Sequence, residues 1–165
     1  MSRPKQQRIA APTEISTRSR RKVQQTGLLL QIATKVAAAE TLEELLRYIV
    51  EVSVQQTAAE RGTLFLNDEK KGELFSRVAM GASVGEIRLP NTAGIAGAVF
   101  TTGQAINIPY AYADLRFNPS FDKRTGYFTR SILCVPIVNK NGKTIGVTQV
   151  LNKRGGPFTA GMRSG

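Results

Sequence analysis

Apolar side chains recur at helical spacing in the first part of the chain and at strand spacing in the remainder. In the first part, an apolar residue returns at three- and four-residue steps, at Leu28, Leu29, Ile32, Val36 and Ala39. This spacing predicts a helix over residues 13–39 with one apolar face. Thr41-Leu42-Glu43-Glu44 follows in the order of a capping box, where the threonine oxygen accepts a helical N–H. The box predicts a second helix that fades near Gln56.

The period then changes to that of β-strands. Short apolar or alternating runs separated by Asp, Lys and Gly turns predict strands at residues 63–66, 73–79, 86–89, 105–108, 131–138 and 144–151. Asn141-Gly142 between the last two is a strong hairpin signal, because both central residues of a type I′ turn adopt positive φ. Thr92 is predicted to cap a third helix that ends before Gly103. The order predicts an α+β fold, with a central antiparallel sheet of about six strands and flanking helices.

Residues 110–128 have no period and are rich in Pro, Asn, Asp and Gly, which predicts an irregular loop. Loops of this length in a compact domain are usually binding lids or disordered. The segment is also rich in aromatic residues, among them Phe117, Phe121, Tyr127 and Phe128. So many aromatic side chains favour a lid that covers a pocket over a disordered loop.

Composition sets the domain organisation and the compartment. The chain has 165 residues, of which 41% are hydrophobic, and this suits one domain with an extension. We predict a disordered basic leader at residues 1–12, the domain with its N-terminal helices at 13–158, and a truncated end with cloning-derived residues at 159–165. A single cysteine, no signal peptide and no apolar run long enough for a bilayer predict a cytoplasmic protein without a membrane partner.

The net charge of +11 is concentrated near the start of the chain. Residues 1–22 carry seven basic side chains and one acidic side chain. The difference, +6, is more than half of the net charge of +11. Such a leader contacts nucleic acid or an acidic membrane surface in some proteins and is a solvated tail in others. We favour the solvated tail and expect no nucleic-acid partner, and we keep nucleic-acid binding as the third interpretation.

The sequence contains no coherent set of catalytic residues. Histidine, the commonest general base and metal ligand, is absent, so Cys134 is predicted to be a small core residue and no catalytic or metal site is expected. Gly142-Lys143-Thr144 lacks the glycine five residues earlier that a phosphate-binding loop needs, and a strand follows it. Asp114 and Asp122 share the loop, but nothing positions them as an acid–base pair. We therefore predict that this chain is not an enzyme.

Two stretches of sequence resemble a known family. Asn152-Lys153 at the end of the last strand is followed by Phe158 after a Gly-Gly-Pro turn, and a lid sequence runs from Arg116 to Ile137. Both resemble the GAF domains of phosphodiesterases and cyanobacterial adenylate cyclases that bind cyclic nucleotides. The resemblance implies that a cyclic nucleotide is enclosed between the sheet and the lid as an allosteric ligand, with no other cofactor.

Matched by position, the resemblance implies ligand contacts at Thr63, Ala96, Asp122, Thr125, Thr129 and Gln149. Independently of it, Gly94 lets a ligand approach the backbone and Phe117 provides an apolar wall. The predicted ligand-binding residues are Thr63, Gly94, Ile95, Ala96, Phe117, Asn118, Asp122, Thr125, Thr129 and Gln149. The start of the third helix suits a cyclic phosphate independently, because a helix N-terminus presents unpaired N–H groups and positive partial charge. As alternatives, Thr125 and Thr129 satisfy loop backbone groups and Asp122 pairs with Lys123 or Arg130.

These observations predict a regulatory GAF domain that belongs to a larger signalling enzyme, such as an adenylate cyclase, a phosphodiesterase or a sensor kinase. We rank cAMP ahead of cGMP as the ligand. The alternative is a GAF module that binds no ligand and serves only for dimerisation. In both cases we predict a homodimer formed through the N-terminal helices.

Overall fold

The structure, a computed structural model, describes residues 12–80 and 85–159. The chain divides into two compact units, Met1–Glu40 and Thr41–Gly165. The predicted basic leader and the predicted cloning-derived end lie almost entirely outside the described residues. Their boundaries therefore stay predictions.

The part of the chain that is described contains four α-helices, α1 (Pro12–Ala38), α2 (Leu42–Thr57), α3 (Gly94–Thr102) and α4 (Ser120–Thr125). The predictions for the first two helices are confirmed to within a few residues. Thr41 caps α2 as its sequence predicts, because its hydroxyl accepts a hydrogen bond from the Glu44 N–H at 3.2 Å. Ala58 then ends α2 in the left-handed conformation, with φ of 53°.

Six strands form one antiparallel sheet and confirm the predicted α+β class. They are β1 (Ala59–Asp68), β2 (Glu73–Met80), β3 (Arg88–Pro90), β4 (Ile106–Ile108), β5 (Ile132–Val138) and β6 (Thr144–Lys153). Their order across the sheet is β3-β2-β1-β6-β5-β4. The central pair, β1 and β6, is therefore formed by strands that are far apart in the sequence.

The two faces of the sheet are covered by different helices. Leu64 on β1 packs with Val50 of α2, and Gly62 lies so close to this helix that an added Cβ would be 2.9 Å from a Val50 methyl carbon. The next residue, Phe65, points to the other face, where it packs in one buried cluster with Val99 of α3. Alternation along β1 therefore supplies a core to each face.

The β5–β6 hairpin is present, but the predicted type I′ turn is wrong. Of Asn141 and Gly142, only Gly142 has positive φ, at 82°. The Asn139 carboxamide oxygen accepts hydrogen bonds from the N–H groups of Asn141 at 2.9 Å and Lys143 at 3.0 Å. This side chain stabilises a five-residue loop in which a single glycine supplies the left-handed residue.

The predicted cap of α3 is also wrong. The N-cap residue is Ala93, and no side chain caps the helix there. Gly97 packs so tightly on the backbone of Thr92 that an added Cβ would lie 2.5 Å from the Thr92 carbonyl carbon. Thr92 therefore contacts the side of the first turn of α3 instead of capping its end.

The close approach of β1 and β6 at Gly146 yields a stability prediction. A Cβ added at buried Gly146 would overlap the carbonyl oxygen of Phe65 on β1. We expect Gly146→Ala to lower the free energy of unfolding by about 2–3 kcal/mol, because backbone atoms cannot move aside as a side chain does. Urea unfolding followed by circular dichroism measures the change.

Gly85→Ala is the matched control for this experiment. A Cβ at Gly85 meets nothing within 4 Å, so its effect is expected to stay within about 0.5 kcal/mol. Equal stability of the two variants would contradict the prediction.

Candidate ligand-binding cleft

A cleft of about 400 Å³ lies between the sheet, the start of α3 and the loop that follows β4. Its volume is within the usual range for small-molecule sites. The structure brings nine of the ten predicted ligand-binding residues to its walls, namely Thr63, Gly94, Ile95, Ala96, Phe117, Asn118, Asp122, Thr129 and Gln149. Thr125 is not among the lining residues.

The floor of the cleft carries two neighbouring polar side chains. Thr63 on β1 and Gln149 on β6 are direct partners across the antiparallel pair. Within the described ranges, neither the Thr63 hydroxyl nor the Gln149 carboxamide has a hydrogen-bond partner. Together they present hydroxyl and amide donors and acceptors to the cleft.

The start of α3 faces the same space. The first hydrogen bond of the helix runs from the Gly97 N–H to the Ala93 carbonyl at 2.9 Å. The N–H groups of Gly94, Ile95 and Ala96 precede this bond, and these three residues line the cleft. An uncapped N-terminus of a nine-residue helix therefore directs its positive end at the cleft.

The segment predicted to be an irregular loop is more ordered than expected. It contains a 3₁₀ turn at Ala111–Ala113 as well as α4, so the prediction is wrong on this point. The Asn118 carboxamide oxygen accepts a hydrogen bond from the Ser120 N–H at 3.0 Å, which starts α4. Helix α4 then stands over the cleft, and we call residues 110–131 the lid.

Aromatic rings hold the first part of the lid together. The ring of Tyr112 stacks on that of Phe128, with centroids 4.9 Å apart and planes at 9°. Tyr112 also packs edge-on against the ring of Phe117, with centroids 5.1 Å apart. Phe117 itself lines the cleft, so the ring cluster fixes one apolar wall.

Asp122 is buried, and its carboxylate accepts three hydrogen bonds. One oxygen accepts from the Thr129 N–H at 2.7 Å and from the Tyr112 hydroxyl at 2.9 Å. The other oxygen accepts from the Thr129 hydroxyl at 2.8 Å. Burial and the bond to Asp122 raise the pKa of the Tyr112 hydroxyl. The carboxylate therefore joins two parts of the lid, and its hydrogen bonds are not to the alternatives Lys123 and Arg130.

Thr125 and Thr129 have different surroundings. Thr129 is buried against Asp122 and lines the cleft. Thr125 is exposed, and its hydroxyl donates to the Phe121 carbonyl at 3.0 Å within α4. Thr125 also accepts from the Tyr127 N–H at 3.3 Å, which matches the alternative that this residue satisfies loop backbone groups.

The Asn152 side chain connects the C-terminal part of the lid to the end of β6. Its carboxamide oxygen accepts from the N–H groups of Arg130 at 2.6 Å and Ser131 at 3.1 Å. Its amide nitrogen donates to the Tyr127 hydroxyl and the Phe128 carbonyl, both at 2.8 Å. The residue is fully buried and adopts positive φ of 56°.

Two arginines stand at the rim of the cleft in different surroundings. Arg88 is paired with three carboxylates, those of Asp68, Glu73 and Glu86. The hydrogen bond to Asp68 is the largest cause of the raised pKa of Arg88. Arg124 on α4 is exposed and forms no ion pair within the described part of the chain. Its guanidinium carbon lies 5.6 Å from the centre of the Phe121 ring.

The candidate catalytic groups are engaged in packing or pairing. Cys134 is fully buried in the core between the sheet and α3, and burial raises the pKa of its thiol. Asp114 is paired with Arg116 at 2.8 Å, and hydrogen bonds from this arginine lower the pKa of the carboxyl. Over residues 12–80 and 85–159, no three His, Cys, Asp or Glu residues are grouped to hold a metal ion. None of the helices described is long and apolar enough to span a membrane.

Sequence reasoning missed four residues that shape the site, which are Tyr112, Asn152, Arg88 and Arg124. The Asn-Lys pair at the end of β6 drew attention to Asn152 as part of a motif, but without a role. Arg124 stood in the predicted lid as one of several basic residues. No local pattern pointed to Tyr112 or Arg88. Apart from the bond between Arg88 and Glu86, their side-chain hydrogen bonds are to residues at least ten positions away.

The fold and the cleft define an α+β domain in which one antiparallel sheet and a lid border a cleft of small-molecule size. The sequence profile of the GAF domain matches residues 41–163. This is most of the chain, and the chain therefore belongs to the GAF domain family. The predicted family is confirmed.

Known proteins extend this comparison. The chain is 44% identical over 115 residues to a cGMP-specific 3′,5′-cyclic phosphodiesterase of Drosophila sechellia, and 45% identical over 114 residues to the protein of that name in Drosophila pseudoobscura pseudoobscura. Each match covers 61% of this chain and only 10% of the relative. A solved GAF domain from a Coxiella burnetii phosphoenolpyruvate-protein phosphotransferase superposes with a TM-score of 0.73 at 24% identity, over 84% of this chain and 83% of that one. That likeness shows the fold.

The role of Asn152 can be tested by comparing substitutions. We expect Asn152→Ala to lower the free energy of unfolding by about 3–4 kcal/mol, because buried groups lose their partners and alanine is strained at positive φ. Asn152→Gly is expected to cost about 1 kcal/mol less, since glycine accepts this conformation. Urea unfolding of both variants measures these differences.

Asn141→Ala serves as the control, because Asn141 is exposed and its side chain makes no hydrogen bond among the described residues. Its expected change is within about 0.5 kcal/mol. If Asn152→Ala were no more destabilising than Asn141→Ala, the fastening role of Asn152 would be disproved.

Proposed function

We propose that this GAF domain binds a 3′,5′-cyclic nucleotide in the cleft beneath the lid and acts as a regulatory domain. The observation that carries the proposal is the uncapped start of α3, whose first N–H groups face an open cleft. A cyclic phosphate carries one negative charge and suits a helix N-terminus, which offers N–H donors and positive partial charge. No other cofactor is invoked.

The other walls of the cleft suit the rest of such a ligand. Thr63 and Gln149 on the floor offer a hydroxyl and a carboxamide without partners in the described chain. Phe117 offers an apolar surface against which a flat base packs. Asp122 and Thr129 serve chiefly to hold the lid, because the carboxylate already accepts three hydrogen bonds.

For the identity of the nucleotide we now rank cGMP ahead of cAMP. This reverses the order expected from the sequence, and it rests on the names of the two Drosophila relatives, which are cGMP-specific phosphodiesterases. The chain spans about a tenth of the length of those relatives. We therefore propose a regulatory part of a longer, phosphodiesterase-like signalling protein of the cytoplasm, in which this domain is not the catalytic part.

Calorimetric titration of the chain with cGMP and cAMP tests this function. We expect saturable binding with one site per chain and tighter binding of cGMP. Gln149→Ala is expected to weaken cGMP binding about three- to tenfold, which corresponds to the loss of one hydrogen bond of about 0.5–1.5 kcal/mol. The thermal unfolding midpoint of the unliganded variant should remain close to that of the wild type.

Gln104→Ala is the matched control, since Gln104 is exposed and does not line the cleft. Its cGMP affinity is expected to equal that of the wild type. Absence of binding of both nucleotides to the folded chain would refute the proposed function.

A dimerisation module is the second candidate, because α1 exposes a row of large apolar side chains. Val23, Leu29, Leu30 and Val36 are 71%, 67%, 64% and 44% exposed. Val23 and Leu30 are seven residues apart, as are Leu29 and Val36, and this repeat is the spacing of a helix–helix seam. We propose that two copies of the chain pair through this face of α1, with or without a nucleotide in the cleft.

Light scattering coupled to gel filtration tests the pairing. We expect a dimeric mass for the wild type and a shift toward monomer for Leu30→Glu, because a buried seam does not tolerate a charge. Gln31→Glu adds the same charge at the next exposed position and is expected to remain dimeric. A wild-type mass that stays monomeric at high protein concentration would rule the pairing out.

A further inference from the structure

The charged side chains that line the cleft differ in whether other protein groups already pair with their charge. The Asp122 carboxylate is occupied by three hydrogen bonds from the lid. Arg88 is surrounded by three carboxylates, which together more than neutralise its charge. Among the positively charged residues that line the described cleft, Arg124 alone forms no ion pair.

Arg124 also borders a second space beside the cleft. It lines the cleft and an adjoining cavity of about 330 Å³, which is bordered by Glu86, Arg88 and Thr125. Its side chain is exposed, and its guanidinium lies near the ring of Phe121, which lines both spaces. A ligand that entered through the adjoining cavity would therefore pass the unpaired guanidinium of Arg124.

A simpler explanation is that Arg124 stabilises α4 from the last turn of that helix. Positive charges near a helix C-terminus are stabilising, and Lys123 occupies the same turn. Lys123 is exposed as well, but it lines neither cavity. The helix account therefore predicts similar behaviour for the two residues, whereas a role in the cleft predicts a difference.

We propose that Arg124 speeds the entry of phosphate-bearing ligands into the cleft by electrostatic attraction. This role rests on the proposed function of the cleft and names the residue that favours anionic ligands at its mouth. A rim charge acts mainly on the association rate and on its salt dependence. The planar guanidinium also suits the phosphate oxygens geometrically, although the charge is sufficient for the effect.

The experiment is stopped-flow binding of a fluorescent N-methylanthraniloyl derivative of cGMP to the full chain. Wild type, Arg124→Gln, Arg124→Lys and Lys123→Gln are compared at about 50 mM and about 500 mM NaCl, where the screening length falls from above 10 Å to about 4 Å. At low salt we expect Arg124→Gln to slow association roughly three- to tenfold, with little change in dissociation. Arg124→Lys and Lys123→Gln should remain near the wild-type rate.

The measurement at high salt distinguishes an effect of the Arg124 charge from an effect of its packing. We expect the association rates of wild type and Arg124→Gln to converge there, because screening removes the attraction that the variant lacks. Three results would overturn the role of Arg124 while leaving the cleft as a nucleotide site. They are a slower association of Arg124→Gln that persists at high salt, an unchanged association rate in Arg124→Gln, and an equal loss of rate in Lys123→Gln. Failure of the wild type to bind the probe and unlabelled cGMP would overturn the proposed function and this role with it.

Discussion

The cleft depends on the hydrogen bonds that the side-chain amide of Asn152 makes with the lid. This amide lies at the end of β6, the strand that joins β1 to β5 and contributes Gln149 to the floor of the cleft. Its two heteroatoms make four hydrogen bonds to lid residues 127–131, in a position with no solvent exposure. A buried polar group with all its partners present defines one arrangement, since any other leaves donors or acceptors unpaired. The lid is thereby placed relative to the sheet before a ligand enters.

A second buried polar group, Asp122, transmits this placement to α4. Thr129 adjoins the residues bonded by Asn152, and both its N–H and its hydroxyl bond to the Asp122 carboxylate. Tyr112 completes the set and holds the aromatic wall of the cleft. Because the carboxylate is occupied in this way, the groups left unpartnered in the cleft are those on the sheet and at the start of α3. The acidic residue that the family resemblance pointed to acts first as a structural fastener.

Regular elements could be predicted from the sequence, and the details of their ends could not. Period and capping signals are local, so α2 with its Thr41 cap and the strand regions were found from the pattern alone. The hairpin loop and the start of α3 were mispredicted, because Asn139 supplied an unexpected side-chain acceptor and Gly97 packed on the backbone of Thr92. Most of the nine cleft residues were reached through resemblance to a family, whereas Gly94 and Phe117 were proposed from backbone access and apolar character. Tyr112 and Arg124 depend on contacts or cavities made by tertiary folding, and a single sequence carries no local sign of those.

The missing side-chain cap of α3 has a physical consequence for the proposed function. A helix that begins at alanine, without a side-chain acceptor, is less stable by about 1 kcal/mol than one begun by Ser, Thr or Asp. Its first N–H groups must then be satisfied by water or by a bound acceptor. An anion that bonds to them replaces the cap and contacts the lid above at the same time, so its binding energy stabilises both. By linkage, a ligand at a hundred times its dissociation constant adds about 2.7 kcal/mol to the free energy of unfolding. In the proposed function, the ligand would thus stabilise α3 at the end where the helix lacks a side-chain cap.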